Sequence, residues 1–116
     1  MRLPEICKLY FEVFSNKDIE GLSKLFSDEV ILRDWEILAN GKQEVLAANK
    51  NIFDSVDTIQ VTLVHQSTST PYTVWADNKV FNEIVIDING EETLLVVDVI
   101  EFDKDGLITK IEAYKG

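Results

Sequence analysis

Residues Glu92–Phe102 read ETLLVVDVIEF, an apolar and β-branched run that Asp98 interrupts in its middle. If the run is a β-strand, successive side chains point to opposite sides, so the sequence gives the composition of each face. One face is apolar apart from the carboxyl group: Leu94, Val96, Asp98, Ile100 and Phe102. The other face is wholly apolar: Leu95, Val97 and Val99. We therefore predict a strand that is covered on both faces, with Asp98 among apolar neighbours.

The carboxyl group of Asp98 needs a physical explanation in such surroundings. Burial makes a carboxylate costly to ionise, so the group pairs with a cation, accepts hydrogen bonds, or stays protonated. A protonated carboxyl group is itself a hydrogen-bond donor, which is a useful device in catalysis. The alternative is a hydrogen-bonded carboxylate in the core or at a sheet edge, and this strand alone leaves both interpretations open.

Length and composition predict a single domain over residues 1–116, because 46% apolar content suits one globular core. No apolar run approaches the roughly 20 residues of a membrane helix. The first residues also lack a signal-peptide pattern, so we expect a cytoplasmic protein with no membrane partner. One cysteine, Cys7, and one histidine, His65, provide no metal-ligand spacing. We expect neither a metal nor another cofactor.

The charge balance argues against nucleic acid as a partner. The net charge is −10, and the 11 lysines and arginines are scattered along the chain. Such a chain repels a phosphate backbone. Most acidic residues therefore indicate a solvated surface, and only those in apolar surroundings bear on chemistry.

The N-terminal half is predicted to contain three helices and a strand. Apolar spacing indicates a first helix over Pro4–Phe14, with Tyr10 on its inner face, and a short second helix from near Asp18 to Phe26. A third helix follows the break at Asn40-Gly41 and spans Lys42–Phe53. Its inner face carries Val45, Asn49 and Ile52.

The strand between the second and third helices is predicted over Val30–Trp35. Val30, Leu32 and Asp34 share one of its faces, and Arg33 lies on the other. Asp34 is therefore a second carboxyl group that points inward.

The C-terminal half is predicted to be β-structure from residue 58 onward. Its segments are Thr58–Thr68 with a break near Ser69-Thr70-Pro71, Tyr72–Trp75 with a turn at Asp77-Asn78, Val80–Ile88, Glu92–Phe102 and Leu107–Lys115. Asn89-Gly90 is a strong hairpin signal.

A hairpin loop of two or four residues at Asn89-Gly90 would fix which residues face Asp98. The predicted companions on its face are Phe81, Glu83, Val85, Thr109, Ile111 and Ala113. The opposite face would carry Ile84, Ile86, Ile88, Leu95, Val97, Val99, Ile108 and Tyr114. Because that face is too apolar to be left in water, we expect a second copy of the chain to cover it as a homodimer.

This order of elements resembles the nuclear transport factor 2-like superfamily, which includes SnoaL-like cyclases and ketosteroid isomerases. The most specific segments are Asn16–Leu22, the Asn40-Gly41-Lys42 start of the third helix, and Val97–Phe102. The resemblance implies an α+β, cone-shaped (cystatin-like) fold. In this fold three N-terminal helices pack on the concave face of a curved, mainly antiparallel β-sheet.

Ketosteroid isomerases of that superfamily use a tyrosine on the first helix, an aspartate after the second helix and an aspartate in the penultimate strand. Tyr10, Asp34 and Asp98 match these three positions in order and spacing. The resemblance implies that Asp34 is the base, while Tyr10 and protonated Asp98 donate hydrogen bonds to the developing oxyanion, which is the division of roles known for that enzyme. Trp35 stands where these isomerases usually have proline, so the sequence does not identify a steroid as the substrate.

Two functions follow from this resemblance. The first is a cofactor-free isomerase, cyclase or lyase acting on a small apolar carbonyl compound. The second is a non-catalytic protein that binds a small apolar or amphipathic ligand. In both cases we expect further ligand contacts from Phe14, Trp35, Phe53, Phe81, Glu83, Val96, Ile100 and Ile111.

Overall fold

The computed structural model describes residues 2–68 and 78–116. Its elements in chain order are α1 (Leu3–Ser15), α2 (Ile19–Leu25), β1 (Phe26–Arg33), β2 (Leu38–Asn40), α3 (Lys42–Asp54), β3 (Ile59–Thr68), β4 (Lys79–Ile88), β5 (Glu92–Phe102) and β6 (Ile108–Lys115). The predicted strand Tyr72–Trp75, the break at Ser69-Thr70-Pro71 and Asp77 of the predicted turn lie outside these ranges. No helix in the described ranges is both long and apolar enough to cross a membrane.

The two N-terminal helices form a hairpin whose joint depends on Asp18 and Gly21. Asp18 caps α2, and its Oδ1 accepts a hydrogen bond from the backbone N–H of Gly21 at 2.9 Å. A β-carbon at Gly21 would lie 2.8 Å from Cγ1 of Val13 on α1, closer than van der Waals contact permits. Glycine therefore allows α1 and α2 to pack closely. Phe26, predicted to belong to the second helix, instead begins β1.

The six strands form one mixed sheet in the order β2-β1-β6-β5-β4-β3. β1 and β6 are parallel, and the other neighbours are antiparallel. β1 buries Val30 and Leu32 on the inner face, as the alternation predicted. The helices cover this concave face, and the apolar core lies between them and the sheet. β2 was not predicted, because three residues are too few to give a periodic signal.

The predicted register of the β4–β5 hairpin is wrong. Ile88 pairs with Glu92, so the loop has three residues rather than two or four. A change of one residue moves every side chain of the strand to the other face. Phe81 and Glu83 therefore lie on the outer face of the sheet, opposite Val99 and Val97, rather than beside Asp98. The predicted companion Val85 is on the outer face with them.

Contacts outside the hairpin explain its loop length. Asn89 and Gly90 both have positive φ, 58° and 67°. The side-chain Oδ1 of Asn89 accepts hydrogen bonds from the backbone N–H groups of Asp57 and Thr58, at 2.7 and 3.0 Å. The backbone N–H of Asn89 also donates to the carbonyl oxygen of Thr58 at 2.9 Å. The turn is thus held against the start of β3.

The same change of register corrects the outer face. Ile84, Ile86 and Ile88 point to the inner face rather than to the outer one. Ile108 is also buried, because the pairing of β5 with β6 shifts between Glu101 and Phe102. The predicted inward residues Ile111 and Ala113 do pair with Ile100 and Asp98, whereas Thr109 lies at the shift in register.

Candidate functional site

A cavity of about 380 Å³ lies between the helices and the inner face of the sheet. Tyr10 on α1, Asp34 after β1 and Asp98 on β5 all contribute to its wall. The sequence places these residues far apart, and the fold brings them to one cavity. Most of the remaining wall is aliphatic or aromatic: Phe11, Phe14, Leu32, Ile37, Ile52, Val56, Ile59, Val61, Ile84, Ile86, Ile88, Leu94, Val96 and Ile111.

Asp98 lies on the inner face of β5 and is only 6% exposed. Burial, and secondly the charge of Asp34, raise the pKa of its carboxyl group from 3.8 to about 7. Both effects disfavour the charged form, because a second negative charge in an apolar cavity is poorly solvated. Asp98 is therefore protonated below about pH 7 and can then donate a hydrogen bond into the cavity.

Tyr10 is a buried residue of the cavity wall, and aromatic rings surround it. The centroids of Phe11, Phe14 and Phe26 are 5.4, 6.0 and 6.2 Å from its own ring. Burial raises the pKa of Tyr10 well above its ordinary value, and the charges of Asp98, Cys7 and Asp34 add to the effect. The phenol is therefore neutral near pH 7 and is a hydrogen-bond donor.

Asp34 follows the last residue of β1 and is half-buried. Its Oδ1 accepts hydrogen bonds from the backbone N–H groups of Glu36 and Ile37, at 2.7 and 2.6 Å. The backbone N–H of Asp34 donates to the carbonyl oxygen of Ile37 at 2.9 Å, which closes the turn into β2. These bonds fix the orientation of the carboxylate and engage one of its two oxygens.

A buried polar network lies behind Asp98. The side chain of Asn82 is fully buried, and its Nδ2 donates to the carbonyl oxygens of Asp98 and Val80, at 3.2 and 3.3 Å. Its Oδ1 accepts a hydrogen bond from Nε2 of Gln66 at 2.8 Å. Nδ2 also lies 3.7 Å from Sγ of Cys7, whose pKa burial raises to about 12. Asn82 thus supports the strand pair that carries Asp98.

The predicted ligand contacts divide into three groups. Phe14, Trp35, Val96 and Ile111 contribute to the cavity wall. Phe53 and Ile100 are buried in the core, and the ring of Phe53 packs edge-on against that of Phe14 at 5.0 Å. Phe81 and Glu83 lie on the outer face of the sheet, so the prediction that they contact a ligand in the cavity is wrong. His65 pairs with Glu83, also away from the concave face.

Two polar residues of the cavity wall, Asn49 and Lys115, were not predicted from the sequence to belong to the site. Asn49 was predicted only to lie on the inner face of α3, yet it is 2% exposed and contributes to the cavity wall. Lys115 also contributes to the wall, and its Nζ lies 5.6 Å from the centroid of a ring of the exposed Trp35. A polar residue on an otherwise apolar inner face was the available signal for Asn49. The Lys115 contact joins distant parts of the chain and has no local signal.

Below about pH 7, the wall therefore combines the carboxylate of Asp34, which two backbone N–H groups hold in place, with two neutral donors in an apolar enclosure. This set can hold a carbonyl compound, take up a proton from carbon and stabilise charge on oxygen. Within the described ranges, no group of three or more histidine, cysteine, aspartate or glutamate side chains is arranged to hold a metal ion.

The fold defines an α+β cone of the nuclear transport factor 2-like (NTF2-like) type. The chain belongs to the SnoaL-like domain family, whose model matches residues 8–111. No protein with a curated function matches the sequence.

Several solved structures share this fold at low sequence identity. An NTF2-like protein of unknown function from Cytophaga hutchinsonii has a TM-score of 0.79 and 11% identity, covering 100% of this chain and 91% of that one. A candidate polyketide cyclase from Sinorhizobium meliloti has a TM-score of 0.79 and 16% identity, with coverages of 95% and 94%. A candidate ketosteroid isomerase from Kribbella flavida has a TM-score of 0.79 and 16% identity, with coverages of 98% and 77%. At these identities the likeness establishes the fold alone.

Proposed function

We propose that this protein is a cofactor-free enzyme of the ketosteroid isomerase-like or SnoaL-like kind, which carries out enolisation chemistry on a small apolar carbonyl compound. One observation carries the proposal: Asp34 shares a mostly apolar cavity with two donors, Tyr10 and Asp98, whose pKa values are raised. Some structural neighbours are described as an isomerase or a cyclase, which supports the same class.

In the proposed reaction, the carboxylate of Asp34 removes a proton from the carbon next to the substrate carbonyl. The C–H electron pair forms the enolate, and negative charge moves to the carbonyl oxygen. Tyr10 and protonated Asp98 donate hydrogen bonds to that oxygen, which stabilises the charge in a site of low polarity. Asp34, now protonated, returns the proton to the same or another carbon and so completes an isomerisation or exchange.

The experiment is deuterium exchange next to the carbonyl of a panel of cyclic ketones, because it reports proton removal when the natural substrate is unknown. We expect Asp34→Asn to lose roughly 10²- to 10⁴-fold in exchange rate with little change in ligand affinity. Asp98→Asn should lose less, since the amide remains a donor. Glu83→Gln removes a carboxylate from the outer face and serves as the matched control, with the parent rate expected.

The second candidate is a protein that binds a small ligand without changing a bond. The two backbone hydrogen bonds to Asp34 favour it, because they give that carboxylate a structural role in the turn. Under this alternative, both substitutions alter affinity only, and the parent protein exchanges no ketone above background. Exchange that survives intact in Asp34→Asn would eliminate Asp34 as the base.

The proposal includes a homodimer in the cytoplasm. The outer face of the sheet carries an apolar patch, which we call the outer patch: Phe81, Leu95, Val97 and Tyr114, each between 39% and 61% exposed. Val97 pairs with Tyr114, and Phe81 lies on the neighbouring strand β4, so the patch is continuous across three strands. A second copy is the proposed cover, because a two-fold arrangement lets the same patch serve both partners.

A further inference from the structure

Asn49 is an amide in the wall of the cavity that the reaction proposed above does not use. It is 2% exposed and lies on the inner face of α3, with Val45 one turn earlier on the same face. Its Nδ2 donates to the carbonyl oxygen of Val45 at 2.9 Å. Only the nitrogen of an amide can donate to a carbonyl oxygen, so this bond distinguishes Nδ2 from Oδ1 in the side chain of Asn49.

The other end of this amide is Oδ1, and Asn49 contributes to the cavity wall. Among residues 2–68 and 78–116, none donates a hydrogen bond to Oδ1. In the same part of the chain, every side-chain nitrogen or oxygen that is sealed from solvent has a hydrogen-bond partner. Oδ1 has no such partner within these residues and Asn49 borders the cavity, so a ligand in the cavity is a candidate donor for it.

Asparagine at residue 49 costs folding free energy unless a donor forms a hydrogen bond with its Oδ1. Asparagine is a weaker helix former than leucine, and a buried amide loses its hydration. An apolar side chain at residue 49 would match Val45 and Ile52 on the same helix face. The acceptor on α3 thus complements the donors Tyr10 and Asp98, which lie on α1 and β5.

We propose that Asn49 determines specificity by accepting a hydrogen bond from a ligand hydroxyl group, so that the ligand class is a hydroxy-carbonyl compound. The ligand carbonyl lies at Tyr10 and Asp98, and its hydroxyl lies at Oδ1 of Asn49. This inference deepens the function proposed above and rests on its placement of the carbonyl. Asn49 takes no proton and changes no bond in this role.

The test compares 6-hydroxy-1-tetralone with 6-methoxy-1-tetralone, two ketones that differ in whether the distal oxygen can donate. Calorimetry should show the parent protein binding the hydroxy compound about 3- to 10-fold more tightly, the ratio expected for one hydrogen bond. Asn49→Leu fills the position and Asn49→Ala empties it, and both remove the acceptor. We expect both variants to lose the preference, whereas Ile52→Val, an apolar change on the same wall, should keep it.

The outcomes separate this inference from the proposed catalysis. A hydroxyl preference that both Asn49 variants lose supports the inference, even if no ketone exchanges deuterium and the enzyme proposal fails. Equal affinities of the parent protein for the two tetralones would overturn the inference. A hydroxyl preference that survives in both Asn49 variants would also overturn it, as would a parent protein that binds neither tetralone. Each of these results would overturn it even if other ketones exchange. Thermal unfolding of each variant establishes that it is folded before binding is measured.

Discussion

The two faces of the β4–β5 hairpin have similar composition and very different chemistry. Val96 and Val97 are neighbours in sequence, yet Val96 is 2% exposed and Val97 is 39% exposed. Likewise Asp98 lies inside the cavity, whereas Glu83, on the adjacent strand, lies on the outer face of the sheet. The comparison teaches that the side of the sheet, rather than the residue type, determines whether a carboxyl group lies in apolar surroundings.

The largest expected effect concerns the pH dependence of stability on the inner face. In the unfolded chain Asp98 has its ordinary pKa of 3.8, and in the fold it is raised to about 7. The folded state therefore binds the proton more tightly, and this contribution to stability is complete below about pH 4 and is lost as the pH rises to about 7. Asp98→Asn does not titrate, so it should gain stability relative to the parent across that range, on the order of 3–4 kcal/mol.

Urea unfolding at fixed protein concentration from pH 4 to pH 8 measures this difference. Glu83→Gln is the matched control, because it removes a carboxylate from the outer face of the sheet and leaves Asp98 in place. A constant difference between Asp98→Asn and the parent over the whole range would contradict the raised pKa of Asp98.

The fold was predictable because its signals are local. The observed bounds of β5 are those predicted, and α2 begins directly after Asp18, near the predicted start of the second helix. The hairpin register depended on more distant contacts, since Asn89 is held by Asp57 and Thr58 from the start of β3. A two-residue turn signal cannot specify a loop that such contacts lengthen by one residue.

The inward positions of Tyr10 and Asp98 followed from helical and strand periodicity. The strand predicted over Val30–Trp35 ends at Arg33, so Asp34 reaches the cavity from the turn after β1 rather than from a strand face. The supports of these residues did not follow from periodicity, because Asn82 has partners in α1, β3 and β5 that no local pattern connects. The catalytic roles assigned to the three residues by resemblance remain predictions, which the exchange experiment tests.

A smaller effect should separate the two adjacent valines. Val96→Ala removes two methyl groups from a buried position and should cost about 1.5–3 kcal/mol of unfolding free energy. Val97→Ala should cost less than about 1 kcal/mol at dilutions where the chain is monomeric, because it loses mainly strand propensity. Chemical unfolding of both variants in dilute solution measures the contrast. Equal costs would mean that the assigned faces of β5 are wrong.

The smallest expected effect on the stability of the single chain belongs to Val97→Lys, although its effect on assembly should be large. Val97 lies within the outer patch, so a lysine there would place two charges in the proposed two-fold contact and leave them poorly hydrated. Sedimentation at micromolar concentration should give the parent a mass of twice 13.2 kDa and the variant a mass near 13.2 kDa.

Raising the salt concentration should strengthen the parent dimer, because each copy carries a net charge of −10 and salt screens their repulsion. Glu91→Gln, at the exposed tip of the hairpin, changes the net charge by the same amount and should leave the dimer intact. A parent protein that sediments as a monomer, or a dimer that Val97→Lys leaves unchanged, would exclude the outer patch as the contact between copies.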